Sequence, residues 1–227
     1  MALKIMVVDD DAAVCKFLKN TVESVGIEVL MMTDSREAAR RLQNEKYDGI
    51  ILDASMPYLD GFELSKQVRT GSVNRTVPIV MITGHDDIET MRRSFKAGVT
   101  FFLGKPLTAE KLYGLLKVSR GAMLREKRRF ARLPLRIPVD CMLGAKQIKA
   151  TSLNVGEGGM LLEAPGALEP GQELQLRFTI PQSDSEVSTR AKVQRKDPAG
   201  RIAVSFLNLS PEDGELIRNY ISGAIRE

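Results

Sequence analysis

The sequence predicts a doubly wound α/β domain on a parallel five-stranded sheet, followed by a small all-β antiparallel barrel with a C-terminal helix. Three observations predict it. Five short apolar runs alternate with stretches of helical spacing in the first half of the chain. After about Leu135 the apolar period falls to two, and near Ser210 it returns to helical spacing behind a capping signature.

The apolar runs lie at 4–8, 29–32, 49–52, 79–82 and 100–102. Between them, 13–25 carries Val14, Phe17, Leu18 and Val22 on one helical face, and 36–43, 62–70, 88–97 and 109–124 repeat the spacing. Five such βα units imply a parallel sheet covered on both faces, with ligands bound at the carboxyl ends of its strands. In the second half, Leu174, Leu176, Phe178 and Ile180 alternate with polar residues. Ala191 with Val193, and Ile202 with Val204 and Phe206, keep that period, and Ile137, Val139 and Cys141 open the set. Turn signals at 143–144, 165–166, 170–171 and 197–200 separate them, which reads as a barrel. Ser210 reads as the N-cap of a last helix with Pro211 at its first position, and Leu216, Ile217, Tyr220, Ile221 and Ala224 form its apolar stripe.

Composition bounds the function. The 227 residues are 43% hydrophobic and 27% charged, which excludes collagen-like, disordered and disulfide-scaffold classes. No apolar run approaches the ~18–20 residues of a membrane span, and the N-terminus lacks a signal-peptide pattern, so a cytoplasmic protein is expected. Cys15 and Cys141 have no metal-ligand spacing and read as core residues. Residues 1–118 hold 16 basic and 16 acidic side chains. By contrast Arg120, Arg125, Lys127, Arg128, Arg129, Arg132 and Arg136 stand against Glu126 alone, a run that marks either an anion partner or a solvated helix between domains.

Asp9, Asp10 and Asp11 follow the first apolar run and Asp53 ends the third, so they share one edge of the sheet. Gathered carboxylates repel one another unless a cation neutralises them, and Mg²⁺, a hard ion content with a few carboxylates plus waters, suits the place. Thr83 and Lys105 reach the same edge and offer a hydroxyl and an ammonium to an anion. Phosphoryl transfer onto a carboxylate is the chemistry implied.

The motifs Val7-Val8-Asp9-Asp10-Asp11, Asp53 through Gly61, Ile82-Thr83-Gly84-His85 and Lys105-Pro106-Leu107 resemble the receiver domain of two-component response regulators, over about residues 1–120. That domain is flavodoxin-like. The resemblance implies that Asp53 is the phosphoacceptor, that Asp9, Asp10, Asp53 and the Ser55 carbonyl hold Mg²⁺, and that Thr83 and Lys105 contact the phosphoryl group. It also implies a cis Lys105–Pro106 bond, a switch through Thr83 and Phe102, and a histidine kinase or phosphotransfer protein as phosphoryl donor. Ser55 and His85 are expected to tune the lifetime of the acyl phosphate.

Arg128 and Arg132 stand four apart, and later comes Asn154-Val155-Gly156-Glu157-Gly158-Gly159. Together these resemble the PilZ domain, whose motifs are Arg-x-x-x-Arg and Asp/Asn-x-Ser-x-x-Gly, with Gly156 in place of the serine. The likeness implies cyclic di-GMP bound by Arg128, Arg129, Arg132, Asn154, Gly156 and Gly159. Guanidinium forks suit its phosphates and the O6/N7 edge of guanine. Losing the serine hydroxyl removes about 0.5–1.5 kcal/mol, or about three- to tenfold in affinity.

The expected organisation is thus a receiver over 1–120, a basic helical linker over 121–134 and a PilZ-like barrel over 135–227. The expected function is a non-enzymatic response regulator that signals to a downstream protein, with a homodimer as one form the signal could take. A PilZ-like adaptor without nucleotide is the alternative. A DNA-binding regulator is a weaker one, because 135–206 leaves no helix-turn-helix pair.

Overall fold

The computed structural model describes residues 2–84, 88–164, 168–181, 183 and 185–226. The chain divides into two compact units, Ala2–Lys127 and Arg128–Glu227.

The first unit runs β1 (Lys4–Val8), α1 (Ala12–Glu23), β2 (Glu28–Met32), α2 (Ser35–Asn44), β3 (Gly49–Asp53), α3 (Gly61–Thr70), β4 (Ile79–Thr83), α4 (Ile88–Lys96), β5 (Phe101–Gly104) and most of α5 (Ala109–Phe130), whose last three residues are counted with the second unit. All strand pairs are parallel, in the order β2-β1-β3-β4-β5. Every residue of β3 and β4 is buried, as strands must be when helices cover both faces. Successive side chains point to opposite sides, so Met6, Ile50, Leu52 and Met81 build one core layer and Ile5, Val7, Ile51 and Val80 the other. Strand order reverses between β1 and β3. The chain leaving these two strands therefore flanks the binding crevice of the sheet.

Aspartates start the helices on that side. Asp11 caps α1, accepting from the N–H groups of Ala13 and Val14 at 2.7 and 3.3 Å, and Asp34 and Asp60 cap α2 and α3.

The helix expected over 109–124 continues to Phe130, so residues 121–130 are its last turns. Three side chains explain the extension. Met123 is fully buried, and a Cβ added at Gly49 would meet its methyl at 2.7 Å. Glu126, 5% exposed, accepts from Lys46 Nζ at 2.5 Å and Thr76 Oγ1 at 2.9 Å. Lys127 lies 3.8 Å from Asp48 and donates to the Ala2 carbonyl.

The second unit comprises β6 (Leu133–Pro134), β7 (Pro138–Leu143), β8 (Lys146–Gly156), β9 (Gly159–Glu163), β10 (Glu173–Thr179), β11 (Glu186–Lys196), β12 (Arg201–Phe206) and α6 (Pro211–Arg226). The antiparallel order β8-β7-β10-β11-β12-β9 closes through a β8–β9 pairing into a six-stranded barrel, and the short β6 adds to β8. Closure leaves few open edges, and the period-two pattern delivers Leu174, Leu176 and Phe178 inward from β10. β11 extends beyond the expected alternation, with a bulge between Val193 and Arg195. Ser210 caps α6 through the Asp213 N–H at 3.0 Å. Ile217 and Ile221 enter the core with Leu216 and Tyr220 beside them, whereas Ala224 is exposed and drops out of the expected stripe. Cys15 and Cys141 are buried free thiols. Among the described residues no helix is long and apolar enough to cross a membrane.

Replacing Glu126 with Ala removes the acceptor that Lys46 and Thr76 share. The expected loss is about 2 kcal/mol of first-unit stability, below the ~3–5 kcal/mol of a fully buried pair because Lys46 keeps a quarter of its exposure. Thermal unfolding and amide exchange in the last turns of α5 check it.

Candidate functional site

Four strand ends bring the expected residues of the first unit together. Asp9 follows β1, Asp53 ends β3, Thr83 ends β4 and Lys105 follows β5; the first three side chains are buried. Lys105 Nζ lies 2.6 Å from Asp53 Oδ1 and 3.9 Å from Asp9 Oδ2. The Ser55 N–H donates to Asp53 Oδ2 at 2.8 Å, and the Asp11 N–H donates to Asp9 Oδ1 at 3.0 Å. Asp9 Oδ2 is buried without a hydrogen bond.

Burial pushes the Asp9 carboxyl up to about 6, reinforced by the charges of Asp53 and Asp10 against the opposing Asp11 N–H and Lys105. For Lys105, burial opposes the charged form, but the hydrogen bond to Asp53 and the charges of Asp53, Asp9 and Asp10 more than offset it and raise its proton affinity. The donor set fits a hard divalent cation. Two carboxylates face one ammonium, and one carboxylate oxygen lacks a hydrogen-bond donor. Asp10 is exposed, and among the described residues no three acidic, histidine or cysteine groups converge into a ready cage. An ion there would complete its shell with water and backbone oxygen, as Mg²⁺ habitually does.

The loop after β3 is held tightly. Ala54 donates to the Ile82 carbonyl at 2.8 Å and Gly61 to the Ala54 carbonyl at 3.1 Å. A Cβ at Gly61 would stand 2.1 Å from the Asp53 carbonyl oxygen, so only glycine lets α3 start against the acidic strand end. Ser35 Oγ donates to the Pro57 carbonyl at 3.0 Å, and the Arg36 guanidinium covers the exposed Tyr58 ring at 3.8 Å. The Lys105–Pro106 bond is cis as expected, and the Lys105 N–H donates to the Thr83 carbonyl at 2.7 Å. Phe102 is half-buried against the core layer of Met81. Ser55 is exposed, and His85 lies outside the described residues.

The second unit holds a pocket of about 460 Å³ between the end of α5 and the β8–β9 turn. Arg129, Arg132 and Gly156 line it, as the sequence leads one to expect, with Gly158 of the same glycine turn and with Phe130, Ala131 and Glu157, which it did not single out. Arg128, Asn154 and Gly159 are not among its lining residues. Asn154 Oδ1 is buried without a hydrogen bond, and its residue stands opposite Leu161 and Pro134 in the sheet. Gly159 serves packing, since a Cβ there would come within 2.0 Å of the Val204 carbonyl oxygen. At Gly156 a Cβ would meet the Ala131 carbonyl oxygen at 2.8 Å. The arginine segment therefore lies closer to this strand than a serine would allow.

Comparison with known proteins divides the chain in the same sense. Residues 5–117 match the family described as response regulator receiver domain, and residues 126–223 match the PilZ domain. Response regulator MprA of Mycolicibacterium vanbaalenii is 33% identical over 117 residues, which is 52% of this chain and 50% of that protein. MprA of Mycobacterium tuberculosis is 33% identical over 118 residues with the same shares. The chain spans about half the length of these relatives. Among solved structures, the chemotaxis protein CheY4 of Vibrio cholerae shares 33% identity at a TM-score of 0.50, covering 52% of this chain and 98% of CheY4. A CheY-like receiver domain protein of Methanospirillum hungatei shares 25% identity at a TM-score of 0.51, covering 56% of this chain and 99% of its own.

Substituting Gly61 with Ala is expected to cost about 2 kcal/mol or more of first-unit stability, because rigid backbone must move to relieve the contact. Chemical denaturation followed by a first-unit probe checks it. An unchanged midpoint would contradict the close approach.

Proposed function

We propose that this chain, a response regulator receiver domain followed by a PilZ domain, accepts a phosphoryl group on Asp53 from a histidine kinase and binds cyclic di-GMP through its second unit. The observation that supports the first half is the pair of buried carboxylates, Asp9 and Asp53, facing the more exposed Lys105 ammonium, with one carboxylate oxygen left without a donor.

In the transfer, an Asp53 oxygen forms the new O–P bond as the P–N bond to the kinase imidazole breaks, and the imidazole nitrogen keeps the bonding pair. Asp9, Asp53, Asp10 and the Ser55 carbonyl would hold Mg²⁺, which would supply neutralising charge for the phosphoryl oxygens. Lys105, already 2.6 Å from Asp53, follows the negative charge onto the phosphoryl group, and Thr83 donates its hydroxyl to another oxygen. Phe102 fills the space that Thr83 vacates, a change a partner can read. An apolar pocket of about 340 Å³ beside Lys105, formed with Val14, Phe17 and Leu107, offers the kinase a seat next to the reacting atoms.

In the second unit Arg129 and Arg132 suit the phosphates and the guanine O6/N7 edge, and Arg128 and Asn154 approach on ligand binding. A nucleotide-free adaptor is the second reading, and the absence of Arg128 and Asn154 from the pocket lining favours it. A DNA-binding regulator gains no support, because the second unit's described elements after α5 are strands and the single helix α6.

Acetyl phosphate or beryllofluoride with Mg²⁺ is expected to modify the purified chain, detected by mass or by ¹⁹F NMR, and Asp53→Asn to abolish the adduct. No adduct on the wild type would refute the phosphoacceptor assignment. In calorimetry with cyclic di-GMP, Arg132→Ala is expected to weaken binding about tenfold or more. Gly156→Ser is expected to weaken it too, because the added Cβ displaces Ala131. Tighter binding by Gly156→Ser would contradict the crowding, and silence in the wild type would move the assignment to the adaptor.

A further inference from the structure

The pocket of the second unit contains a hydrogen-bond acceptor that neither motif accounts for. Arg129, Arg132 and Glu157 line the same cavity, yet among the described residues none of the three has a side-chain hydrogen bond or ion pair. Two guanidinium groups and a carboxylate around one space would ordinarily pair. Here the backbone keeps Glu157 at the tip of a tight turn: Gly156 pairs with Gly159 across it, and the Phe206 N–H donates to the Gly158 carbonyl at 2.9 Å.

A carboxylate in such a place opposes a ligand that offers only phosphate. It suits one that brings N–H donors as well. Guanine brings both kinds of group. Its O6 and N7 accept from a guanidinium fork, while its N1–H and N2 amino group can donate to the two oxygens of a carboxylate. Adenine presents an acceptor at N1, which a carboxylate repels. Asn154, which the resemblance also places at the ligand, does not line the pocket and has its Oδ1 buried.

We propose that Glu157 is the specificity-determining residue that reads the N1–H/N2 edge of guanine and selects cyclic di-GMP over cyclic di-AMP. This rests on the nucleotide-binding reading above. Discrimination comes as much from repulsion of the wrong base as from attraction of the right one.

The test is titration of the full chain with cyclic di-GMP and with cyclic di-AMP, comparing wild type, Glu157→Gln and Glu157→Ala. Wild type is expected to prefer cyclic di-GMP. Either variant is expected to bind it about 10- to 100-fold more weakly, the worth of a hydrogen bond to a charged group. Glu157→Gln is expected to bind cyclic di-AMP as well as or better than wild type, because its amide can donate to N1 and accept from N6. Equal tightening of both ligands in the variants would overturn the proposal, since it would mean that Glu157 only opposes phosphate. Unchanged discrimination with intact cyclic di-GMP binding would overturn it as well and leave the nucleotide-binding reading standing. A wild type that binds neither dinucleotide refutes that reading and this one with it.

Discussion

Two carboxylates buried side by side, Asp9 and Asp53, with one ammonium between them and water, set the terms for the first unit. Lys105 satisfies Asp53 at 2.6 Å but reaches Asp9 only at 3.9 Å, which leaves Asp9 Oδ2 without a donor. Such an arrangement is costly in a metal-free fold and becomes favourable when a cation or a proton arrives. The surrounding architecture keeps it in place. Strand order reverses between β1 and β3, so the two acids emerge on either side of one crevice. The glycine start of α3 and the backbone hydrogen bonds of Ala54 and Gly61 hold the loop after Asp53 close against the strand end.

The two units differ in how their chemistry is encoded. In the first, each site residue sits at or just past the end of an apolar run, and finding the strand finds the residue. Asp9, Asp53, Thr83 and Lys105 were legible for that reason. In the second, the pocket forms where the end of α5 meets a turn some twenty-five residues further on, and no local period reports which side chains line it. Of the residues named by the resemblance, Arg129, Arg132 and Gly156 line this pocket, while Arg128 and Asn154 do not. The resemblance also pointed to Gly159, whose packing against Val204 is what makes glycine necessary there. Glu157 and Phe130 occupy non-motif positions and went unnoticed. An acid inside a glycine turn opposite an arginine run was the only signal.

The basic run shows the limit of counting charge. Its net positive count read as one solvated or anion-binding stretch, but the residues divide by task. Lys127 is tied to Asp48 and the Ala2 carbonyl, and Glu126 is buried under Lys46 and Thr76. These contacts, with Met123 against Gly49, carry α5 six residues past its expected end. Only beyond them do Arg129 and Arg132 become exposed pocket residues. The spacing of Met123 and Glu126 on one helical face was present in the sequence. The polarity of Glu126 hid it, because a buried acid is invisible to apolar periodicity.

Asp9 is buried with one oxygen undonated, and the proposed reading is that a cation completes its site. A raised carboxyl binds its proton more readily folded than unfolded, so the metal-free fold should lose stability as pH rises from the ordinary value of 3.8 through about 6, and added Mg²⁺ should restore it. The direct measurement is an NMR titration of the Asp9 side-chain carboxyl in the metal-free protein, repeated with Mg²⁺. The account predicts a midpoint near 6 without metal that falls well below that value when Mg²⁺ is added. A midpoint near 3.8, unmoved by Mg²⁺, would contradict it.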